Sequence, residues 1–153
     1  MIRKIFAAVA FASLASMPLA APAHADTPPV HTGLLSRVAV GGYDPVAYFT
    51  QGRPVRGSAE HRVTHEGYEY RFANAANAAA FRAAPSRYLP QYGGYCAWAV
   101  SQGYTAPGNP QNWRIVDGRL YLNYNDEIQQ RWERDIPGFI RSANGNWPGV
   151  LSR

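Results

Sequence analysis

The chain has 153 residues, a formal charge of +5 and a single cysteine, and tyrosine is its commonest aromatic residue. Apart from Lys4 its basic residues are arginines scattered along the chain, so no nucleic-acid partner is expected. One cysteine excludes an internal disulfide, and the length allows one domain with a sizeable core.

Met1-Ile2-Arg3-Lys4 is a basic start, Ile5 to Ala15 is apolar and uncharged, and Ala23-His24-Ala25 has the small-x-small pattern of a signal peptidase site. This predicts a signal peptide over 1–25 and a periplasmic or secreted protein. No Arg-Arg pair precedes the apolar stretch and no cysteine follows the cleavage site, so general export is expected without a lipid anchor. No later stretch is apolar enough to span a membrane, so none is expected after cleavage.

Residues 26–37, with Thr27-Pro28-Pro29, read as a flexible leader, and the folded domain as 38–151. Ser36 to Val40 reads as a short strand. Asp44 can cap a short helix opened by Pro45. His61 to Phe72 reads as a hairpin turning at Glu66-Gly67, which pairs His65 with Tyr68, Val63 with Tyr70 and His61 with Phe72 on one face. Asn74 can cap a helix over 75–84, and a further helical turn can follow Pro85. Tyr95 to Gln102 reads as a short helix between Gly93-Gly94 and Gly103, and Tyr104 to Asn112 as a loop. Trp113–Val116 and Leu120–Leu122 flank Asp117-Gly118, the strongest hairpin signal in the chain. Asn125 can cap a helical region carrying Ile128, Trp132, Ile136, Phe139 and Ile140, which Pro137 kinks or restarts. No internal repeat is legible. The predicted fold class is α+β: a single compact domain with two short β-hairpins and several short helices.

Cys96 is the residue on which chemistry can centre. In the first turn of a helix its thiolate would be favoured by the unpaired N–H groups. A metal site needs further ligands, and a thiolate with imidazole suits copper or zinc. His31 falls in the leader, and His61 and His65 lie roughly 13 Å apart on one strand, so at most one of these two joins Cys96. His61, toward the helices, is the expected partner. Tyr92 or Tyr95 could complete a shell, Trp98 could shield it, and Gly93-Gly94 could let the backbone approach a ligand. A redox thiol needs only Cys96 and an external resolving thiol. A buried, silent cysteine in an interaction module is the third alternative. No signature of a hydrolytic Cys/His site is present. A binding role is expected before an enzymatic one.

Gly42-Tyr43-Asp44-Pro45-Val46-Ala47-Tyr48-Phe49, Tyr70-Arg71-Phe72-Ala73-Asn74 and Phe81…Pro85…Tyr88 together resemble the YHS domain. The longer run from Gln91-Tyr92-Gly93-Gly94-Tyr95-Cys96-Ala97 through Trp113–Gly118 to Leu120–Asn125 resembles the exported, stand-alone YHS-domain proteins of bacteria, some described as carrying selenocysteine where this chain has Cys96. The resemblance covers roughly Val38 to Leu151. It implies a YHS-like fold and handling of a soft metal, copper before zinc, with a metal-handling protein as a partner. It also implies cysteines after the Asp-Pro-Val piece and in a Tyr-x-Phe-Cys-x-x-x-Cys piece. Those positions hold Ala47, Ala73 and Asn77 here, so any thiol chemistry is expected at Cys96.

Overall fold

The computed structural model describes residues 26–153, and the expected signal peptide lies outside them. The elements in order are α1 (Ala47–Thr50), β1 (Ser58–His65), β2 (Tyr68–Phe72), α2 (Ala75–Ala83), α3 (Pro85–Tyr88), α4 (Ala97–Ser101), β3 (Asn109–Val116), β4 (Arg119–Asn123), α5 (Asp126–Glu133) and α6 (Ile136–Asn146). Short 3₁₀ turns sit at Val40–Gly42, Gln91–Gly94 and Gly149–Ser152. The strands form two separate antiparallel hairpins, β1–β2 and β3–β4, so the α+β class with two hairpins holds. No helix of the described residues is long and apolar enough to cross a membrane.

Both hairpins turn where expected. Glu66 and Gly67, and Asp117 and Gly118, all have positive φ, at 49°, 84°, 51° and 72°. Two left-handed residues in a row match the right-handed strand twist in a two-residue turn. Pairing outward from the first turn gives His65–Tyr68 and Val63–Tyr70, as expected, but then breaks. Arg62 pairs with Arg71 and Ser58 with Phe72, so Ala59, Glu60 and His61 are looped out without partners. The expected His61–Phe72 pair is therefore corrected: a bulge, invisible to a strict two-residue period, removes His61 from the core-facing row.

Two boundaries also differ. Ser36–Val40 is no strand but isolated bridges, Thr32 to Ala39 and Val38 to Glu69, running into a 3₁₀ turn. The expected leader is tied down: the Thr27 N–H donates to Leu151 O at 2.8 Å, the His31 N–H to Gly93 O at 2.9 Å, and the Tyr95 hydroxyl to Pro28 O at 2.8 Å. Beyond Pro148 the chain turns once more and buries Val150. Pro137 restarts the last helix, whose first turn is capped by Asp135 accepting from the Gly138 N–H at 3.0 Å.

The order of elements repeats. A left-handed glycine turn, a short helix, a hairpin and an Asn-capped helix occur twice, from Val40 to Ala83 and from Tyr92 to Glu133. Gly41-Gly42-Tyr43-Asp44 corresponds to Gly93-Gly94-Tyr95-Cys96. The Tyr43 N–H donates to Val40 O and the Tyr95 N–H to Tyr92 O, both at 3.0 Å. Asp44 N–H donates to Val55 O at 2.8 Å and Cys96 N–H to Ala106 O at 2.9 Å. Tyr43 bridges to Arg56 and Tyr95 to Pro107. Both hairpins carry three looped-out residues in the first strand. The Asn74 side chain accepts from Asn77 N–H and the Asn125 side chain from Ile128 N–H, one capping each copy's second helix. Phe81 and Trp132 fill matching places in α2 and α5, each against a strand tyrosine, Tyr70 and Tyr121. The expectation of no repeat is corrected: few side chains are shared, and the repeat lies in the backbone.

β4 runs between the two halves of the core. Leu120 and Leu122 face the Tyr48–Phe72–Phe81 cluster, while Tyr121, on the opposite face of the strand, joins Tyr92, Val100 and Trp132. Asn123 follows on the Tyr121 face, fully buried. That alternation places a polar side chain directly beside Cys96.

Candidate functional site

Cys96 precedes α4 as its N-cap residue rather than lying in its first turn. Its backbone is fixed by the bond to Ala106 O and a parallel bridge to Leu122. Behind it, Tyr92, Gly93 and Gly94 all have positive φ, at 56°, 60° and 81°. Gly93 must be glycine, because a Cβ there would lie 1.9 Å from Pro29 O.

Cys96 is sealed from solvent yet is one of the residues around a pocket of about 290 Å³, with Trp98, Tyr104, Tyr124, Glu127 and Ile128 among the others. The thiol donates to Asn123 Oδ1 at 3.6 Å, which also accepts from the Trp98 N–H at 3.1 Å. Asn123 Nδ2 donates to Gln129 Oε1 at 2.8 Å, and Gln129 Nε2 donates to Glu133 Oε1 at 2.9 Å. Arg114 pairs with Glu133 at 2.5 Å and holds its carboxyl below the usual carboxylate range. A polar line thus runs from the buried thiol to the surface of α5.

Burial pushes the Cys96 thiol above its ordinary value, and the Ala99, Tyr124 and Trp98 backbone N–H groups pull more weakly the other way, the Trp98 N–H donating to Asn123 Oδ1 rather than to the sulfur. The resting group is a neutral thiol, which corrects the expected thiolate: for a sealed sulfur, desolvation outweighs the first turn of a five-residue helix.

The other expected site residues separate. Only Trp98 lines the Cys96 pocket. Tyr92 turns away, its hydroxyl donating to Asn144 Oδ1 at 2.8 Å, and Tyr95 packs on His31 and Trp147. Gly93 and Gly94 serve the turn. His61, half-buried in the β1 bulge, is not among the pocket residues. The described residues contain no group of three or more His, Cys, Asp or Glu that could hold a metal. Glu127 is the only other such side chain in the pocket wall, and it pairs with Arg131.

Asn123, Tyr104, Tyr124, Glu127 and Ile128 were not expected. The signal that points to them is the correspondence of Cys96 with Asp44. Asp44 is fully buried. Its Oδ1 accepts from the N–H groups of Val46 at 2.8 Å and Ala47 at 3.2 Å. Its Oδ2 accepts from the Ala73 N–H at 2.9 Å and from Asn77 Nδ2 at 2.7 Å. Val46, Ala47 and Ala73 correspond to Trp98, Ala99 and Tyr124, whose N–H groups pull the thiol pKa down against burial. Asn77 corresponds to Ile128, whose side chain has no donor, and there the second copy has its pocket. The three positions marked by the YHS resemblance, Ala47, Ala73 and Asn77, thus meet at one carboxylate.

Comparison with protein-family models, curated proteins and solved structures returns no match.

Proposed function

We propose that this is a small exported thiol protein whose working group is Cys96, reached through the aromatic pocket by a compact oxidant of the hydroperoxide class. The observation that carries this reading is the placing of Cys96: in the wall of the pocket, its thiol donating to Asn123, with the Ala99 and Tyr124 backbone N–H groups favouring negative charge on the sulfur. In the first step the sulfur attacks the peroxide, R′OOH. The O–O bond breaks, the cysteine becomes a sulfenic acid, and R′OH leaves with the thiol proton; the sulfur is oxidised and the peroxide reduced. The chain has no second cysteine, so return to the thiol needs two external thiols: the first forms a mixed disulfide and releases water, and the second attacks that disulfide, freeing the Cys96 thiol and leaving as the external disulfide. The thiol is neutral at rest, so the reaction is slow at neutral pH and quickens as pH rises.

The test is peroxide consumption and Cys96 mass, followed on untagged protein whose metal content is also measured. The reading expects oxygen uptake confined to Cys96, absent in Cys96→Ser, with no bound metal. Copper or zinc copurifying in equal amount, and lost in Cys96→Ser, would favour the metal reading instead. A cysteine that resists both peroxide and alkylating agents until the protein unfolds would leave an interaction module with a silent thiol.

A further inference from the structure

Asp44 and Cys96 occupy corresponding places in the two halves of the chain, and the three backbone donors around Asp44 each have a counterpart around Cys96. In the first half these donors hold an anion: the Asp44 carboxylate receives three backbone N–H groups and the Asn77 amide, and pins α1 to the junction of β2 and α2. In the second half the corresponding backbone donors belong to Trp98, Ala99 and Tyr124, the Trp98 N–H donating to Asn123 Oδ1; the group at the carboxylate's place is a neutral thiol, and Ile128, in Asn77's place, lines a pocket. The second cradle therefore has an acceptor smaller and less charged than its backbone is arranged to hold. A cysteine sulfinate, –CH₂–SO₂⁻, has the branching and charge of an aspartate side chain, –CH₂–CO₂⁻.

We infer that Cys96 is an oxidation site whose stable end state is the sulfinate, held by the second-half cradle as the Asp44 carboxylate is held in the first. This rests on the thiol reading above. Two hydroperoxides are consumed. The first converts the thiol to the sulfenic acid and the second converts that to the sulfinic acid, each losing its O–O bond and leaving as an alcohol or water. The sulfinic acid gives its proton to solvent. One sulfinate oxygen accepts from the Ala99 N–H and from the Trp98 N–H, which leaves Asn123 Oδ1 for it, and the other accepts from the Tyr124 N–H on the pocket side. The product ties α4 to the junction of β4 and α5, as Asp44 ties α1 in the first half. External thiols reverse the first step but not the second, so the site records exposure to excess peroxide.

The experiment titrates the full-length exported protein with hydrogen peroxide, with and without glutathione, and reads the Cys96 peptide by mass spectrometry and the whole protein by thermal melting. The expected result is uptake of two oxygen atoms that stops there despite further peroxide. It is accompanied by a rise of roughly 5 °C in Tm over the reduced protein, the scale of new charge-assisted hydrogen bonds in a domain of this size. Uptake that ends at one oxygen, or continues to three, overturns the inference while leaving thiol chemistry intact. A two-oxygen form that melts below the reduced protein also overturns it. No uptake at all removes both this inference and the thiol reading.

Discussion

Asp44 shows what the first cradle contributes. Its carboxylate is fully buried and accepts four hydrogen bonds. Asp44→Ala leaves three backbone N–H groups and an amide without their acceptor, and is expected to cost about 3 kcal/mol in chemical denaturation. In the second cradle, Asn123→Leu removes the acceptor shared by the Cys96 thiol and the Trp98 N–H, both buried or half-buried. A loss of about 1–3 kcal/mol is expected in the same assay. Cys96 itself was legible from the sequence as the only thiol. Its resting charge was not, because the outcome depends on desolvation by residues distant in sequence, from Ala106 to Ile128. Alkylation of native protein should therefore show a rate that keeps rising with pH beyond the ordinary thiol midpoint of about 8.5. A midpoint below that value would contradict the protonated resting state.

At the scale of elements, both hairpins, the Asn74 and Asn125 caps and the restart at Pro137 were legible, because turn, cap and proline chemistry act within a few residues. The bulge at His61 and the docking of residues 27–32 were not, since each depends on a distant backbone. The docked segment can be tested at two points. Gly93→Ala places a methyl group against Pro29 O at a φ of 60°, and is expected to cost about 1–3 kcal/mol and to speed amide exchange over 27–32. His31 packs its ring on Tyr95, and burial lowers its pKa from the usual value. A depressed folded-state pKa gives stability that is complete above the unfolded value, about 6.5, and is lost as pH falls through the folded one. Exchange protection over 27–32 should accordingly weaken on acidification below about pH 6.5, and His31→Phe should remove that dependence.

Among the described residues one backbone unit occurs twice, from Val40 to Ala83 and from Tyr92 to Glu133, and the copies differ at one cradle. The first copy closes its cradle with a carboxylate, aided by Asn77. The second leaves a thiol, a pocket, and an Asn123–Gln129 line where the first has Phe72 and Ala78. This was illegible in the sequence because the copies share mainly glycines, tyrosines and caps, while the donors that define the cradle are backbone N–H groups, which any residue supplies. Burial raises the pKa values of Cys96 and of Tyr48, Tyr70 and Tyr92 in the folded state. Their contribution is present below the unfolded values and is lost as pH rises through the folded ones. Stability should hold through neutral pH and fall on the alkaline side, with the first part of that fall absent in Cys96→Ser. The most direct test of the duplicated cradle is the melting temperature of Cys96→Asp beside Cys96→Ala and Cys96→Ser. If the second cradle is built as the first, the aspartate is received by the Trp98, Ala99 and Tyr124 N–H groups, and Cys96→Asp melts above both other variants. If it is an ordinary apolar site, a buried carboxylate without its donors costs several kcal/mol, and Cys96→Asp melts well below them.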